Sequence, residues 1–369
     1  MLRCSCALLA LAAAAAPAQA PRWKVQYFYD QEKTSFTIND FQFLSAKRGL
    51  AVGFVLTGKH EDPMSLLTSD GGEHWDQVPL KETPISLFFL DEGLGWMVTT
   101  KGLWKTNEAG RSWTKLPKLP DGILRVCFLN DKDGWGVGLK KSVITTHDGG
   151  QHWEPLAAAA TLPGEPRYSA FVWVAFANSQ IGLITGGNIP PRLFVPSSPE
   201  WLDPQSTLRM RDVPHLSYAV ATNDGGKTWQ PKAASMFGQT ARFRLLPNGS
   251  GIGLIEFSEL FQAPCEVYKI DWHSGKSTRI YQNPSISITD VWLDADGTAY
   301  LSGIAEPGRV RDIIPGKVKV FISHDMQTWT DMAVDYRAEA IRTIMSVPDP
   351  QHRWLATDNG MILKLTDGK

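Results

Sequence analysis

The chain has 369 residues, 43% of them hydrophobic and 20% charged, with 37 Lys and Arg against 38 Asp and Glu and a formal net charge of −1. So even a balance excludes the basic footprint that nucleic-acid binding requires. Of its cysteines only Cys127 and Cys265 lie beyond the N-terminal leader, which excludes a disulfide-built scaffold and leads us to expect two buried thiols in different repeats.

Residues 1–20 read as a secretory signal: Arg3, an apolar stretch from Ala7 to Ala16, and small residues that suit cleavage after Ala18 or Ala20. This predicts a secreted or periplasmic mature protein. No later run reaches the roughly 20 apolar residues of a membrane span, so membrane association is peripheral at most. A strand run from Trp23 to Phe28 comes next, ahead of a repeating unit that occupies the rest of residues 21–369 as one domain.

The repeat announces itself as TSDGGEHW (Thr68 to Trp75), TNEAGRSW (Thr106 to Trp113), THDGGQHW (Thr146 to Trp153) and TNDGGKTW (Thr222 to Trp229). A period of roughly 40 residues signals an array of small units, none able to bury a core alone. Each unit reads as four short strands joined by turns. The first spans Phe36 to Leu44, Gly49 to Leu56, Met64 to Thr68 and His74 to Val78; the second spans Ile85 to Leu90, Gly95 to Thr99, Leu103 to Thr106 and Ser112 to Leu116. The third runs Ile123 to Leu129, Gly134 to Leu139, Ser142 to Thr146 and His152 to Leu156, and the fourth Ala170 to Ala177, Ile181 to Gly186, Leu216 to Thr222 and Thr228 to Pro231. A fifth unit, Ala241 to Tyr281, carries an eroded box, DWHSGKST, and a sixth, Ser287 to Met332, a shortened one, SHDMQTW.

The seventh unit has three strands, Ala340 to Val347, Trp354 to Thr357 and Met361 to Leu365. Its box is cut in two, with Asp367 at one end of the chain and Trp23 at the other, so the N-terminal strand is expected to supply the missing fourth strand and remove the open edges. The fold is therefore all-β: a seven-bladed β-propeller of four-stranded antiparallel blades whose last blade is closed by the N-terminal strand.

Within each box the aspartate (Asp70, Asp148, Asp224, Asp325; Glu108 in the second) accepts hydrogen bonds from nearby backbone N–H groups, and glycine takes the positive φ of the turn. The tryptophan (Trp75, Trp113, Trp153, Trp229, Trp329) packs below it, burying about 150–250 Å². Glu108 should weaken its turn without abolishing it.

These boxes, with second strands such as Gly95-Trp96-Met97-Val98 and Gly134-Trp135-Gly136-Val137, resemble the Asp-box (BNR) propellers. Within that superfamily the chain is similar to the photosystem II assembly and stability factor-like group; sialidases and sortilin-type receptors are more distant. The resemblance implies the seven-bladed fold and a non-catalytic assembly role, but no arginine patch carries over position by position, and fold alone does not give function.

In such a ring the second-to-third and fourth-to-first connections emerge on one face and the box turns on the other. Gly58 to Pro63, Gly187 to His215, Ser258 to Cys265, Ala305 to Lys317 and Ala157 to Tyr168 all belong to the first face and read as insertions. The two longest, 187–215 and 305–317, carry Arg192, Trp201, Arg209, Arg211 and His215, and Glu306, Arg309, Arg311 and Asp312. Arginines mixed with aromatics suit a protein surface or an anionic group, so these are the candidate binding residues.

Chemistry is harder to find. A sialidase-like glycosidase would need an arginine triad and a tyrosine nucleophile, and the Arg-Ile-Pro signature is missing; the loop carboxylates Glu165, Glu256, Glu259, Glu306 and Asp312 have no spacing that pairs them. Gly275-Lys276-Ser277 is a degenerate box turn, not a phosphate loop, and Asp294-Ala295-Asp296-Gly297 is a turn between strands, not a calcium loop. The histidines recur in box slots, so no metal, cofactor or catalytic residue is assigned. The sequence thus predicts a monomeric extracytoplasmic scaffold that binds a protein, with a glycan-binding or glycan-cleaving propeller as the alternative.

Overall fold

Residues 19–190, 214–257, 263–305 and 315–368 of the chain are described by a computed structural model. Their strands form seven antiparallel sheets, each ordered first to fourth strand outward from the axis. Blade 2 sets the pattern with Pro84–Phe89, Gly95–Thr99, Gly102–Thr106 and Thr114–Lys115. Its second strand is buried at every position because a blade is covered on both faces by its neighbours.

In blade 7 the order is Thr343–Asp349, His352–Thr357, Met361–Gly368 and then Gln19–Phe28, the last two antiparallel with Trp23 opposite Leu365. The N-terminal strand closes the ring. Trp23 is fully buried, but its indole N–H has no acceptor among the described residues, whereas Trp75, Trp153 and Trp229 donate to the Gly72, Gly150 and Gly226 carbonyls within their intact boxes. Asp367, the other half of the divided box, ends the partner strand.

The boxes repeat bond for bond. Thr68 Oγ1 donates to Asp70 Oδ1 at 2.9 Å and accepts from the Gly72 N–H at 2.9 Å, while Asp70 Oδ1 accepts from the His74 N–H at 3.0 Å. Thr146-Asp148-Gly150 and Thr222-Asp224-Gly226 do the same. Gly226 has a φ of 86°, and a Cβ there would lie 2.2 Å from Trp135 of the preceding blade, so glycine is required twice over. In the second box the longer Glu108 reaches the Ser112 hydroxyl at 2.5 Å, and the Trp113 N–H has no acceptor among the described residues.

Between blades, second-strand tryptophans lock onto the next box: Trp96 stacks on Phe128 at 3.7 Å and donates to the Gly149 carbonyl at 3.1 Å. At the seam Trp354 stacks on Phe43 at 3.6 Å but reaches the first box through a relay, donating to Gln26 Oε1, whose Nε2 donates to the Gly71 carbonyl.

Several boundaries differ from expectation. Gly58 to Pro63 is a tight hairpin, not an insertion, since strands Gly49–Thr57 and His60–Thr68 pair to the turn. Ala157 to Tyr168 holds a short helix, Ala157–Ala160, and a 3-10 turn, Pro166–Tyr168. The last strand of blade 4 extends to Met236, and Ala340 pairs with blade 6, leaving blade 7 to begin at Thr343. Ala333–Val334 pairs in parallel with Arg22–Trp23, so the closing strand is bonded along both edges. Cys127 and Cys265 are buried in different blades and form no disulfide.

Candidate functional site

Of the nine candidate binding residues, Arg192, Trp201, Arg209, Arg211, Glu306, Arg309, Arg311 and Asp312 lie outside the described residues. His215 does not sit in a loop. It opens the third strand of blade 4, opposite Met236.

The structure instead assembles a site along the central channel. Six first strands carry a register shift at the same height, between Ile38 and Asp40, Pro84 and Ser86, Ile123 and Arg125, Phe171 and Trp173, Thr240 and Arg242, and Ile288 and Asp290. A bulge of this kind re-aims the side chain that follows it. Around the ring the residue after the bulge is Asp40, Ser86, Arg125, Trp173, Arg242 and Asp290, with Ile344 in the same place on unbulged blade 7.

These residues form one connected belt. Arg125 and Arg242, from the blades either side of Trp173, place their guanidiniums over its indole at 4.1 and 4.8 Å. Arg125 pairs with Asp40 at 3.3 Å and Arg242 with Asp290 at 3.1 Å. Both aspartates are buried and held in place: Asp40 accepts the Phe41 and Leu87 N–H groups, each at 2.9 Å, and Asp290 the Val291 and Met345 N–H groups at 2.9 and 2.7 Å. Arg342, next to this slot on blade 7, donates to the Asn39 carbonyl at 3.0 Å and has no carboxylate partner among the described residues.

Three guanidiniums meet the two paired carboxylates at the belt, and a third carboxyl, Glu256, lies within reach of the field of Arg242 and Arg342. Burial pushes the Arg125 guanidinium below its usual value; Asp40 opposes this, while Arg242 and Arg342 add to it by repulsion. Glu256, at the end of a blade 5 second strand, has its carboxyl raised by burial against the pull of Arg242 and Arg342. One layer closer to the boxes, Arg244 stacks on Trp292 and is pushed down to about 10 by burial, and Arg353 pairs with Asp294.

Such a belt suits an anionic, hydrogen-bond-accepting group, since Arg presents planar donor forks matched to carboxylates. Of the carboxylates weighed above, Glu165 is exposed and paired with Arg167, Glu256 is drawn on by Arg242 and Arg342, and Glu259, Glu306 and Asp312 lie outside the described residues, while Asp40 and Asp290 are tied to arginines and backbone. Among the described residues no cluster of three His, Cys, Asp or Glu could hold a metal, and no helix is long and apolar enough to cross a membrane.

The surface around the channel is lopsided. The exposed large hydrophobics among the described residues are Phe28, Leu139, Ile189, Phe237, Tyr336 and Ile341, and all six lie at strand ends or connections of the face opposite the boxes. Lone exposed apolar residues are ordinary, but six on one end of a ring are not.

Comparison with known proteins supports the fold. No family model matches the chain. It is 23% identical over 235 residues to a photosystem II assembly lipoprotein, Ycf48, of Synechococcus, covering 60% of this chain and 60% of the relative. It is 21% identical over 262 residues to the photosystem II assembly protein Ycf48 of Thermosynechococcus vestitus, covering 67% and 70%. In fold it matches a solved YCF48 bound to D1 peptide, with a TM-score of 0.59, 17% identity and coverage of 94% and 97% of the two chains. The chain is a seven-bladed β-propeller similar to the photosystem II assembly protein Ycf48. YCF48 from Cyanidioschyzon merolae superposes with a TM-score of 0.58 at 15% identity, covering 93% and 98%. The Ycf48-like ring and this one thus share their full architecture, while the sequence match to the Synechococcus relative spans under two thirds of either chain.

The belt was missed in the sequence because its residues are of different types and lie far apart. A signal was present: aligning the units on the residue before the first turn gives DFQF, SLFF, RVCF, WVAF, RFRL and DVWL, in which the second and fourth positions stay apolar while the leading one changes character.

Proposed function

We propose that this protein is a non-catalytic, extracytoplasmic assembly or stability factor that holds a polypeptide partner on the face opposite the boxes, with the arginine belt taking an acidic group of that partner. The observation that carries the reading is that all six exposed large hydrophobics among the described residues lie on the face opposite the boxes. Protein-binding surfaces combine apolar contact area with aromatic and arginine anchors, both of which this face carries. The leader-like residues 1–20, and the description of the Synechococcus relative as a lipoprotein, support a location in the cell envelope. The peptide-bound YCF48 supports a polypeptide as ligand.

The test is affinity purification of the tagged protein from its native envelope beside three variants: Arg342→Ala, deletion of Pro190 to Val213, and Asp224→Asn in a box as control. The expected result is a specific protein that co-purifies with wild type and the box variant and is lost from Arg342→Ala, from the deletion, or from both. Equal recovery with all four forms would place the partner elsewhere and overturn the reading.

A further inference from the structure

We propose that Trp173 is a positioning residue that holds Arg125 and Arg242 as a spaced pair of cations at the channel, so that they and Arg342 present a preformed anion site. The role of that site rests on the partner-binding reading above; the positioning itself does not.

The two arginines of the belt flank this one residue. Going outward from Trp173, the next blade on each side supplies an arginine, Arg125 and Arg242, and each arginine is anchored away from the indole by an aspartate, Asp40 and Asp290. Asp40 stands two blades from Arg125, and Ser86, the slot residue between them, is small and turns its hydroxyl to the Leu124 carbonyl at 2.7 Å, leaving the guanidinium room to pass. Two guanidiniums in a partly buried channel repel one another. An aromatic face between them attracts both and fixes the planes of their donors. The indole itself is held by nothing else of polar character: its N–H is buried and finds no acceptor among the described residues. Its orientation is therefore set by the two stacked cations and by packing against the blade 5 core around Phe243 and Leu245. No other blade places an aromatic residue in this slot, so the repeat does not explain it.

The experiment compares wild type, Trp173→Phe and Trp173→Leu in the full chain, with two readouts. The first is the ¹⁵N-arginine spectrum, in which the Nε–H resonances of Arg125 and Arg242, assigned by Arg→Lys variants, are expected to be ring-shifted in wild type and Trp173→Phe and to return to unshifted positions in Trp173→Leu. The second is titration with a hexaglutamate peptide, for which Trp173→Leu should bind about three- to tenfold more weakly, the range of a lost cation–π contact, and Trp173→Phe should recover most of the affinity. Unshifted arginine resonances in wild type, or shifted resonances with unchanged peptide affinity in Trp173→Leu, would overturn the proposal. Ring-shifted resonances lost in Trp173→Leu, with no peptide binding by any form, would support the positioning role and count against the partner-binding reading instead.

Discussion

The two ends of this ring follow opposite rules. At the box end the same residues return in the same slots, Thr68-Asp70-Gly72, Thr146-Asp148-Gly150 and Thr222-Asp224-Gly226, with the same bonds to within 0.1 Å for each threonine-to-aspartate contact. In the channel slot beyond the bulge six of the seven blades are built alike, yet the residue changes from Asp40 to Ser86, Arg125, Trp173, Arg242 and Asp290. Repetition with constant chemistry marks what the fold needs from each blade. Repetition of backbone with changing chemistry marks positions that the fold leaves free to vary, which is where the proposed partner site lies.

Removing Gln19–Phe28 should have the largest effect, because it exposes the ladder of Met361–Gly368 and unpairs Ala333–Val334. The expected outcome is loss of a cooperative thermal transition; a sharp melt within a few degrees of wild type would show that the ring does not depend on its seam. Trp354→Ala should follow, with a loss of about 3–5 kcal/mol in chemical denaturation, because a fully buried indole stacked on Phe43 leaves a cavity at the seam. Asp290→Asn keeps the shape but removes the charge facing Arg242 and one acceptor for buried N–H groups, and should cost about 1–3 kcal/mol by the same assay. The matched box change, Asp224→Asn, should cost less, since that carboxylate is solvent-exposed and its turn has sister copies. If the two substitutions cost the same, the contrast between the ends fails.

Acid sharpens the contrast in a different way. Hydrogen bonds from the Thr228 hydroxyl and N–H hold Asp224 at about 2, and those from the Thr328 and Gln327 N–H groups hold Asp325 at about 2, against an ordinary 3.8. Both folded values are depressed, so the stability they contribute is complete above about pH 4 and is lost as the pH falls toward 2. Melting temperature measured from neutral pH downward should stay level and then drop in that window, and Asp224→Asn should flatten the drop.

The contrast also explains what could be read beforehand. The blade count, the box bonds and the terminal closure were legible because tryptophan, glycine and aspartate recur at a fixed period, and recurrence survives the erosion seen at Glu108 and in DWHSGKST. Strand ends were blurred where pairing outran the apolar run, as at His60, whose hairpin continues through the polar Glu61 and Asp62. The belt was not legible residue by residue, because Arg125 and Asp40 look like surface charges until the bulges bring them to one channel. Arg342 hid most completely, since blade 7 lacks the bulge that marks the others.

The relay at the seam has a consequence for biosynthesis. Gln26 touches both Trp354 and the first box, so the earliest strand of the ring is also the piece that joins its last blade to its first. That strand leaves the ribosome, and any translocation channel, long before Met361–Gly368 exists to receive it. Contacts across such a span of sequence are slow to form and come last. The ring is therefore completed only on a finished chain, and a truncated product, lacking the strand that Gln19–Phe28 needs, would carry its own mark for disposal: an unpaired strand edge.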